Sequence, residues 1–265
     1  MQERRRRLRA YRKSRRKFSC TVYGITLAWL VLALSQWLAV CLLKDFRDNV
    51  NKYYWISLIF FISAMLLFTM FIFIKRLRFV LCLNWLLSLL IVEFLIIGLF
   101  ALSAQTDWKN LIAWFLICAL LTYLFILIGS ILPQDLTLNV VILFVIAFLI
   151  LSITVFMSMM HQIMNMSYSF YAYMVCIGLI VLMFVMYHAQ TINGGRFAEM
   201  RIRDYLLASL ILFNDFIIIY MLTIYPQVIN NKKSTPSNTT DSYNSKESGY
   251  EDSTTTTEEV VVNWG

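Results

Sequence analysis

Two carboxylic acids stand inside long apolar stretches of this 265-residue sequence, Glu93 and Asp215. An ionisable side chain at membrane depth is costly and indicates a functional site by default. No basic residue lies within two helical turns of Asp215, so we expect its carboxylate to face neighbouring helices and to find a proton, a cation or a basic partner there. The alternative is a protonated acid that makes one structural hydrogen bond between helices.

A histidine and a basic run add to these acids. His188 closes another apolar segment, in the sequence YHAQ of residues 187–190. Imidazole titrates near neutral pH, so His188 is a candidate proton sensor if a carboxylate lies close; otherwise it is a polar residue near a helix end. The run KRLR at residues 75–78 is typical of a solvated loop, although one of its side chains can also reach inward to an acid.

Residue patterns for metal binding and catalysis are weak. Thioethers and imidazole can bind Cu(I), but methionines near a helix end more often serve flexible packing, and we assign no metal. The five cysteines are scattered and form no CxxC pattern, which indicates neither disulfides nor zinc. We find no catalytic motif in a supporting context and predict no enzyme and no cofactor. The methionines around His161 are Met157, Met159, Met160, Met164 and Met166.

The composition indicates an integral membrane protein. The chain is 60% hydrophobic and 14% charged, with a mean hydropathy of +0.70, whereas soluble domains are about 45–50% apolar and about 25% charged. Roughly 20 apolar residues cross a bilayer as a helix, and we predict an all-α protein with seven transmembrane helices. The predicted spans are Phe18–Leu43, Tyr54–Ile74, Phe79–Ala104, Leu111–Leu132, Leu136–Met160, Tyr168–Tyr187 and Tyr205–Tyr225.

Basic residues predict the orientation of these spans. Ten of the 23 Lys and Arg residues lie between Arg4 and Lys17, directly before an apolar run. Residues 1–17 are therefore predicted to be a cytoplasmic leader that faces anionic lipid; no nucleic-acid-binding fold presents this basic cluster, and we predict no nucleic-acid partner. With the N-terminus in the cytoplasm, 16 basic residues lie inside and seven outside, as the positive-inside rule requires.

The composition changes after the last span. Residues 226–265 are rich in Ser, Thr, Asn and acidic residues, which is typical of disorder. The predicted domains are thus the leader 1–17, a transmembrane domain 18–225 and a lumenal or extracellular tail 226–265. Asn238 in the tail and Asn165 before the sixth span stand in glycosylation sequons, and both fall on the outer side of this topology.

Two stretches of the last two spans carry a family resemblance, YHAQTINGG at residues 187–195 and DYLLASLILFNDFII at residues 204–218. The first is similar to the aspartate-threonine-glutamine stretch, with its following glycine, of the transmembrane Bax-inhibitor-motif proteins. The second is similar to the last helix of that family, and the lifeguard branch is the part of the family that the chain resembles. The order of elements also fits, with a basic residue before the first span, NKYYW at 51–55 and PQDLT at 133–137. The resemblance covers roughly residues 15–226.

This resemblance implies six helices around a central seventh, with a role in calcium homeostasis of internal stores and in protection from apoptosis. In the family, aspartates on the sixth and seventh helices share protons and, with a basic group from the second helix, gate a pH-sensitive calcium leak. Asp215 matches the seventh-helix aspartate. The basic group falls near Arg76, with Lys75 or Arg78 as alternatives.

The sixth-helix aspartate is replaced by His188 in this chain. A protonated histidine would attract Asp215 without a second-helix base, whereas the site has fewer of the six to eight oxygen ligands that calcium prefers. Glu93 restores a carboxylate only if its helix turns that face inward. Calcium is thus expected as a permeant or bound ion, with binding at this site in question.

Three classes of function remain open. The leading expectation is a divergent lifeguard-type protein of the ER or Golgi, with the plasma membrane as an alternative, that acts on calcium leak and cell death. A second class is a non-conducting member that works through membrane proteins of cell-death control. The third is a seven-helix receptor or proton-coupled transporter.

Overall fold

The computed structural model describes residues 2–164 and 167–234, and within these ranges the regular structure is helical throughout. Because lipid cannot hydrogen-bond to the backbone, apolar segments of this length satisfy their own amides as helices. A short 3-10 turn at Ile202–Asp204 precedes the last helix. The helices are α1 (Gln2–Leu42), α2 (Lys44–Lys52), α3 (Tyr54–Phe73), α4 (Lys75–Phe79), α5 (Leu81–Gly98), α6 (Phe100–Ala104), α7 (Trp108–Ile131), α8 (Val140–Met164), α9 (Ser167–Asn193) and α10 (Tyr205–Ser234).

Seven stretches of this helical chain are long and apolar enough to cross a bilayer, and the protein is a multi-pass, all-α membrane protein. The predicted fold class is therefore confirmed. We call these stretches the first to seventh spans, in chain order. They are carried by α1, α3, α5 with α6, α7, α8, α9 and α10.

The bounds of the spans differ from those predicted by one residue or more, and the fifth and sixth spans show why. The fifth span was predicted to begin at Leu136, but α8 begins at Val140 because the side chain of Asp135 accepts the backbone N–H of Thr137 and folds a turn there. The sixth span was predicted to end at Tyr187, but α9 continues to Asn193. His188 therefore lies within the helix, one turn before its end.

The seventh span is the central one. About two thirds of its apolar stretch (67%) is buried, against 11–39% in the other six spans. Its residue Tyr220 stacks on Trp37 of the first span, with ring centroids 4.7 Å apart and planes 4° from parallel. Trp37 also donates its indole N–H to the carbonyl of Ile96 in the third span, over 3.0 Å. The indole of Trp37 thus joins the first span to the seventh by stacking and to the third by a hydrogen bond.

Two glycines allow helices to approach closely. A Cβ at Gly98 of α5 would lie 2.8 Å from Cβ of Phe61 in α3, and a Cβ at Gly129 of α7 would lie 2.7 Å from the carbonyl oxygen of Met186 in α9. Small residues are common where transmembrane helices touch, because packing rather than hydrophobicity drives their association. These contacts fix α3 on α5 and α7 on α9.

Both ends of the transmembrane region continue as helix. Helix α1 runs without a break from the leader into the first span. Helix α10 continues through Pro226, where we predicted the tail to begin, and ends at Ser234; transmembrane helices tolerate the single backbone hydrogen bond that a proline removes. Residues up to Val228 form one compact unit and residues 229–265 a second, which the structure describes as far as 234.

Candidate functional site

The structure brings His188 and Asp215 together. Nδ1 of His188 in α9 lies 2.7 Å from Oδ2 of Asp215 in α10. Asp215 is buried, with 6% of its surface exposed, while about a fifth of the His188 side chain (21%) is exposed. This polar contact joins the sixth span to the central seventh span.

Neighbouring side chains hold the imidazole of His188 in place. The ring of Phe184, one turn earlier in α9, stacks on it at 6.2 Å with planes 29° apart, and Tyr187 meets it edge-on at 5.7 Å. The hydroxyl of Thr191 donates to the carbonyl oxygen of His188 over 2.8 Å. The ring is thus oriented by packing, so that Nδ1 faces the carboxylate of Asp215.

The pair is electrostatically isolated. The hydrogen bonds and ion pairs of the described residues place no third charged side chain on His188 or Asp215. Phe213 and Phe216, which flank the acid in α10, are fully buried. A group in such surroundings interacts strongly with its one polar partner, because little else screens the charge. A charge on either group is therefore felt mainly by the other group, at the contact between α9 and α10.

Glu93 belongs to a different contact. Its carboxylate accepts hydrogen bonds from Nε2 of Gln36 in the first span, at 2.9 and 3.1 Å from the two oxygens. It adds no oxygen to the pair of His188 and Asp215. The condition set by the sequence, that the helix of Glu93 turn its carboxylate toward Asp215, is therefore not met.

The basic run lies at the end of the bundle, away from Asp215. Arg76 is exposed. Arg78 is mostly buried, donates to the carbonyl of Ile72 over 3.3 Å, and lies 3.6 Å from Oδ2 of Asp204. Asp204 precedes Asp215 by three helical turns, about 16 Å along the axis. Of the basic residues in this run, Arg78 thus contacts an acid just before α10, and that acid is Asp204 and not Asp215.

A second polar cluster, which the sequence reasoning missed, joins the leader to the loop after the sixth span. Arg15 is buried, with 4% of its surface exposed. Its guanidinium donates to the carbonyl of Thr191 over 2.9 Å and to that of Met200, and it lies 3.6 Å from Glu199. Gly194, with φ +74°, makes room for this side chain, since a Cβ there would overlap the guanidinium stem. We call this contact the leader clamp.

Glu199 completes the leader clamp. It accepts hydrogen bonds from the hydroxyl of Tyr11 and from the backbone N–H of Gly195. Partial burial favours its neutral form, but these two hydrogen bonds and the charge of Arg15 outweigh burial and hold the pKa of Glu199 below its ordinary value. Burial and the neighbouring carboxylate both raise the pKa of Tyr11.

The sequence gives no clear signal for the clamp, because the first span is apolar on every side, and the structure shows which face of α1 is buried. Buried residues of α1 recur every three or four positions along one face, and this stripe extends beyond the first span into the leader. A basic residue on the buried stripe of a helix is expected to contact protein rather than lipid. The stripe runs Arg15, Ser19, Val22, Thr26, Trp29, Ala33 and Trp37.

The loop after the fourth span contacts the same region. Asp135 accepts hydrogen bonds from the hydroxyl and N–H of Thr137 and, over 2.9 Å, from the N–H of Phe197. The hydroxyl of Thr137 outweighs partial burial and, with these N–H groups, holds the pKa of Asp135 below its ordinary value. Gln190 bonds to the backbone of residues 134 and 136. The loops after the fourth and sixth spans are thus joined.

The remaining candidates concern metals and glycosylation. Among the described residues, no three His, Cys, Asp or Glu side chains converge as a metal site would require. The side chain of His161, with most of its surrounding methionines, lies outside the described part of the chain, as do Asn165 and Asn238.

Comparisons with known proteins found no match: no protein-family model, no curated protein and no solved structure matches this chain. The proposals below are therefore carried by the residues, their geometry and the resemblance described above.

Proposed function

We propose that this chain is a proton-sensitive membrane protein of the Bax-inhibitor type that controls calcium leak from an internal store and thereby restrains cell death. The observation that carries the proposal is the 2.7 Å contact between His188 and Asp215. It lies where the resemblance places the family's acidic pair, and it joins the central helix to one of its neighbours.

The contact depends on the protons that its two groups hold. With one proton between them, an imidazolium faces a carboxylate, or a neutral imidazole shares a hydrogen bond with a neutral acid. A second proton removes the attraction of opposite charges, and loss of the last proton leaves a buried carboxylate without a counter-charge. Either change weakens the link between α9 and α10. The pair thus acts as a gate that responds to pH.

Calcium is assigned the role of permeant ion. One carboxylate supplies at most two of the six to eight oxygens that calcium prefers, and Glu93 is engaged by Gln36. The pair therefore controls access to a path through the bundle and does not retain the ion.

The proposed orientation places the leader in the cytoplasm and the protein in the ER or Golgi. The basic residues of the leader and of the loops after the second and sixth spans support the cytoplasmic position of the leader. Three contacts join these segments to each other or to the loop after the fourth span: Arg15 with Glu199, Arg78 with Asp204, and Asp135 with the backbone of residue 197. Segments on one side of a bilayer meet in this way.

Calcium-loaded vesicles that contain the purified protein test the proposal. Asp215→Asn removes the titratable acid and should abolish the pH dependence of calcium release. His188→Asp recreates an acidic pair and should increase release near neutral pH. Glu93→Gln is the matched control, because it makes the same change of acid to amide within the membrane but away from the pair. If all three variants match the wild type between about pH 5 and pH 8, the range over which histidine titrates, the gate is refuted.

A second candidate is a non-conducting protein that acts through membrane partners. Two observations favour it: the pair holds a single carboxylate, and Arg78 is paired with Asp204 instead of Asp215. Vesicles without release at any pH, combined with a cell-death phenotype that Asp215→Asn still alters, would support this candidate over the leak.

A further inference from the structure

A cavity of about 420 Å³ lies where the connection between the second and third spans meets the start of α10. Four basic side chains line it, and a single carboxylate, that of Asp204, opposes them. Three of the four, all but Arg78, are exposed and therefore keep their charge available to a ligand. The excess of positive charge selects an anion. The basic residues are Lys75, Arg78, Arg201 and Arg203.

Two buried polar atoms of the cavity lack a partner. Nε of Arg78 has a hydrogen to donate and no acceptor, and Oδ1 of Asn84 has no donor. Asn84 is 4% exposed, and the one hydrogen bond that its side chain makes to the described residues is long, 3.4 Å from Nδ2 to the carbonyl of Arg78. Each unpaired buried group is costly. A ligand that relieves both must accept a hydrogen bond from Arg78 and donate one to Asn84.

A phosphate monoester on a polyol meets both requirements. Its phosphate oxygens accept from guanidinium groups, which bind phosphate with two parallel hydrogen bonds. Its free hydroxyls donate to an amide oxygen. Inorganic phosphate and the serine headgroup also carry donors, a P–O–H group and an ammonium group, so charge separates the candidates. Four basic side chains against one carboxylate leave an excess of three positive charges in the cavity. A phosphate monoester adds about −1.5 to −2 to the phosphodiester charge of an inositol lipid, whereas the ammonium and carboxylate of phosphatidylserine cancel, so a phosphorylated sugar alcohol fits the cavity better.

The surroundings of the cavity fit a lipid. Leu81, on its rim, is 65% exposed, and Trp85, one turn further along α5, is 41% exposed and lies 6.4 Å from the ring of Tyr205. Trp and Tyr side chains are typical of the level of lipid headgroups, and basic pockets between spans bind phosphorylated headgroups. An acyl chain would find apolar surface directly beside the cavity.

We propose that this cavity binds a phosphorylated inositol, presented as the headgroup of a membrane lipid. The proposal does not depend on calcium release, since the cavity lies at the end of the bundle and shares no residue with the pair of His188 and Asp215. A soluble inositol phosphate offers the same chemistry, and the experiment separates these two sources.

Binding is measured by titration calorimetry on the full-length protein in neutral detergent, with three probes. These are dioctanoyl phosphatidylinositol 4-phosphate, dioctanoyl phosphatidylserine and soluble inositol 1,4-bisphosphate. We expect the inositol lipid to bind at least tenfold more tightly than the serine lipid. Weaker binding of the soluble bisphosphate assigns the ligand to the membrane, and equal binding assigns the same cavity to the soluble compound. Equal binding of the two lipids overturns the proposal.

Variants locate the binding. Arg201→Gln with Arg203→Gln, both at exposed positions, should weaken binding at least tenfold. Arg76→Gln is the matched control, because it removes an exposed charge from the same connection without lining the cavity. If Arg76→Gln weakens binding as much as the double variant, the attraction is general surface charge and the assigned site is wrong.

Discussion

Nη2 of Arg15 donates a hydrogen bond of 2.9 Å to the carbonyl oxygen of Thr191, three residues after His188. The hydroxyl of Thr191 in turn bonds to the carbonyl of His188. The leader therefore contacts the same helical turn of α9 that carries the histidine of the pair. Two hydrogen bonds thus connect the leader clamp to the turn that carries His188.

Arg15→Gln should destabilise the protein. The variant loses the charge and leaves two buried carbonyl groups short of donors, and hydrogen bonds to charged groups contribute about 1.5–3 kcal/mol each. Thermal unfolding of the purified protein in detergent should show a lower midpoint. Arg16→Gln removes a neighbouring exposed arginine and should leave the midpoint unchanged. Equal effects of the two variants would mean that Arg15 contributes no more than surface charge.

Acid should release the leader clamp. The pKa of Glu199 is held below its ordinary value of 4.5 in the folded protein, so its stabilising effect is complete above 4.5 and is lost as the pH falls through the lower, folded value. Hydrogen exchange of residues 194–200 should accelerate across that acidic window. In Glu199→Gln the exchange should be fast already at neutral pH and should not respond to the same window. A pH response that persists in the variant would assign the effect to another group.

The tail should be protected from protease in sealed microsomes. Seven spans with a cytoplasmic N-terminus place residues 235–265 in the lumen, so an epitope there should resist digestion until detergent is added. An epitope at the N-terminus provides the control and should be digested at once. Loss of a mass shift in Asn238→Gln would agree with a lumenal tail. Digestion of the tail in intact vesicles would rule out the proposed orientation.

A peptide of residues 2–17 should bind vesicles that contain phosphatidylserine. Each basic residue near an anionic surface contributes about 1 kcal/mol, and binding should fall steeply with salt, because counterions screen the attraction. In the intact protein nine of the ten basic residues remain exposed and Arg15 does not. A peptide with Arg4, Arg5 and Arg6 replaced by Gln should bind more weakly. Binding that ignores salt would indicate apolar insertion in place of electrostatic attraction.

Gly129→Ala should loosen the packing of α7 on α9. The added methyl group meets the backbone of Met186, which cannot move aside as a flexible side chain can, and overpacking costs about 1–3 kcal/mol. Gly178→Ala is the control on α9, where a Cβ meets nothing within 4 Å. The control should stabilise its helix, by up to about 1 kcal/mol. Unfolding midpoints of the two variants should therefore move in opposite directions.

The seven spans followed from length and apolarity, and the resemblance suggested that His188 faces Asp215, whereas the partners of several other polar residues were not predictable. Length and apolarity alone identify a membrane helix, so seven spans were predictable. Asp215 and His188 stand out because each is polar in apolar surroundings. The partner of Glu93 was not predictable, since Gln36 lies 57 positions earlier and both helices are apolar on every side. Without a polar face, such helices do not show in sequence which residues turn toward each other.

The ends of two helices were misjudged because polar contacts, and not a change in apolarity, mark them. The fifth span begins at Val140 and the sixth ends at Asn193, next to loop hydrogen bonds such as those of Asp135 and Gln190. Arg15 was assigned to lipid together with its neighbours, because charge was the property on which the leader was judged. The structure places Arg15 on the buried face of α1, which continues from the first span back into the leader.

The stack of Trp37 on Tyr220 has a consequence for synthesis. Roughly 180 residues separate these two rings in the chain, and a ribosome adds roughly 5–20 residues per second, so about 10 to 40 seconds pass between the emergence of the first ring and that of the second. During this interval six spans reach the membrane without the helix around which they pack. The nascent bundle stays open until the last span is inserted. A chain that stops before residue 205 therefore exposes, to lipid and to the cell's quality control, the surface that the seventh span covers in the complete protein.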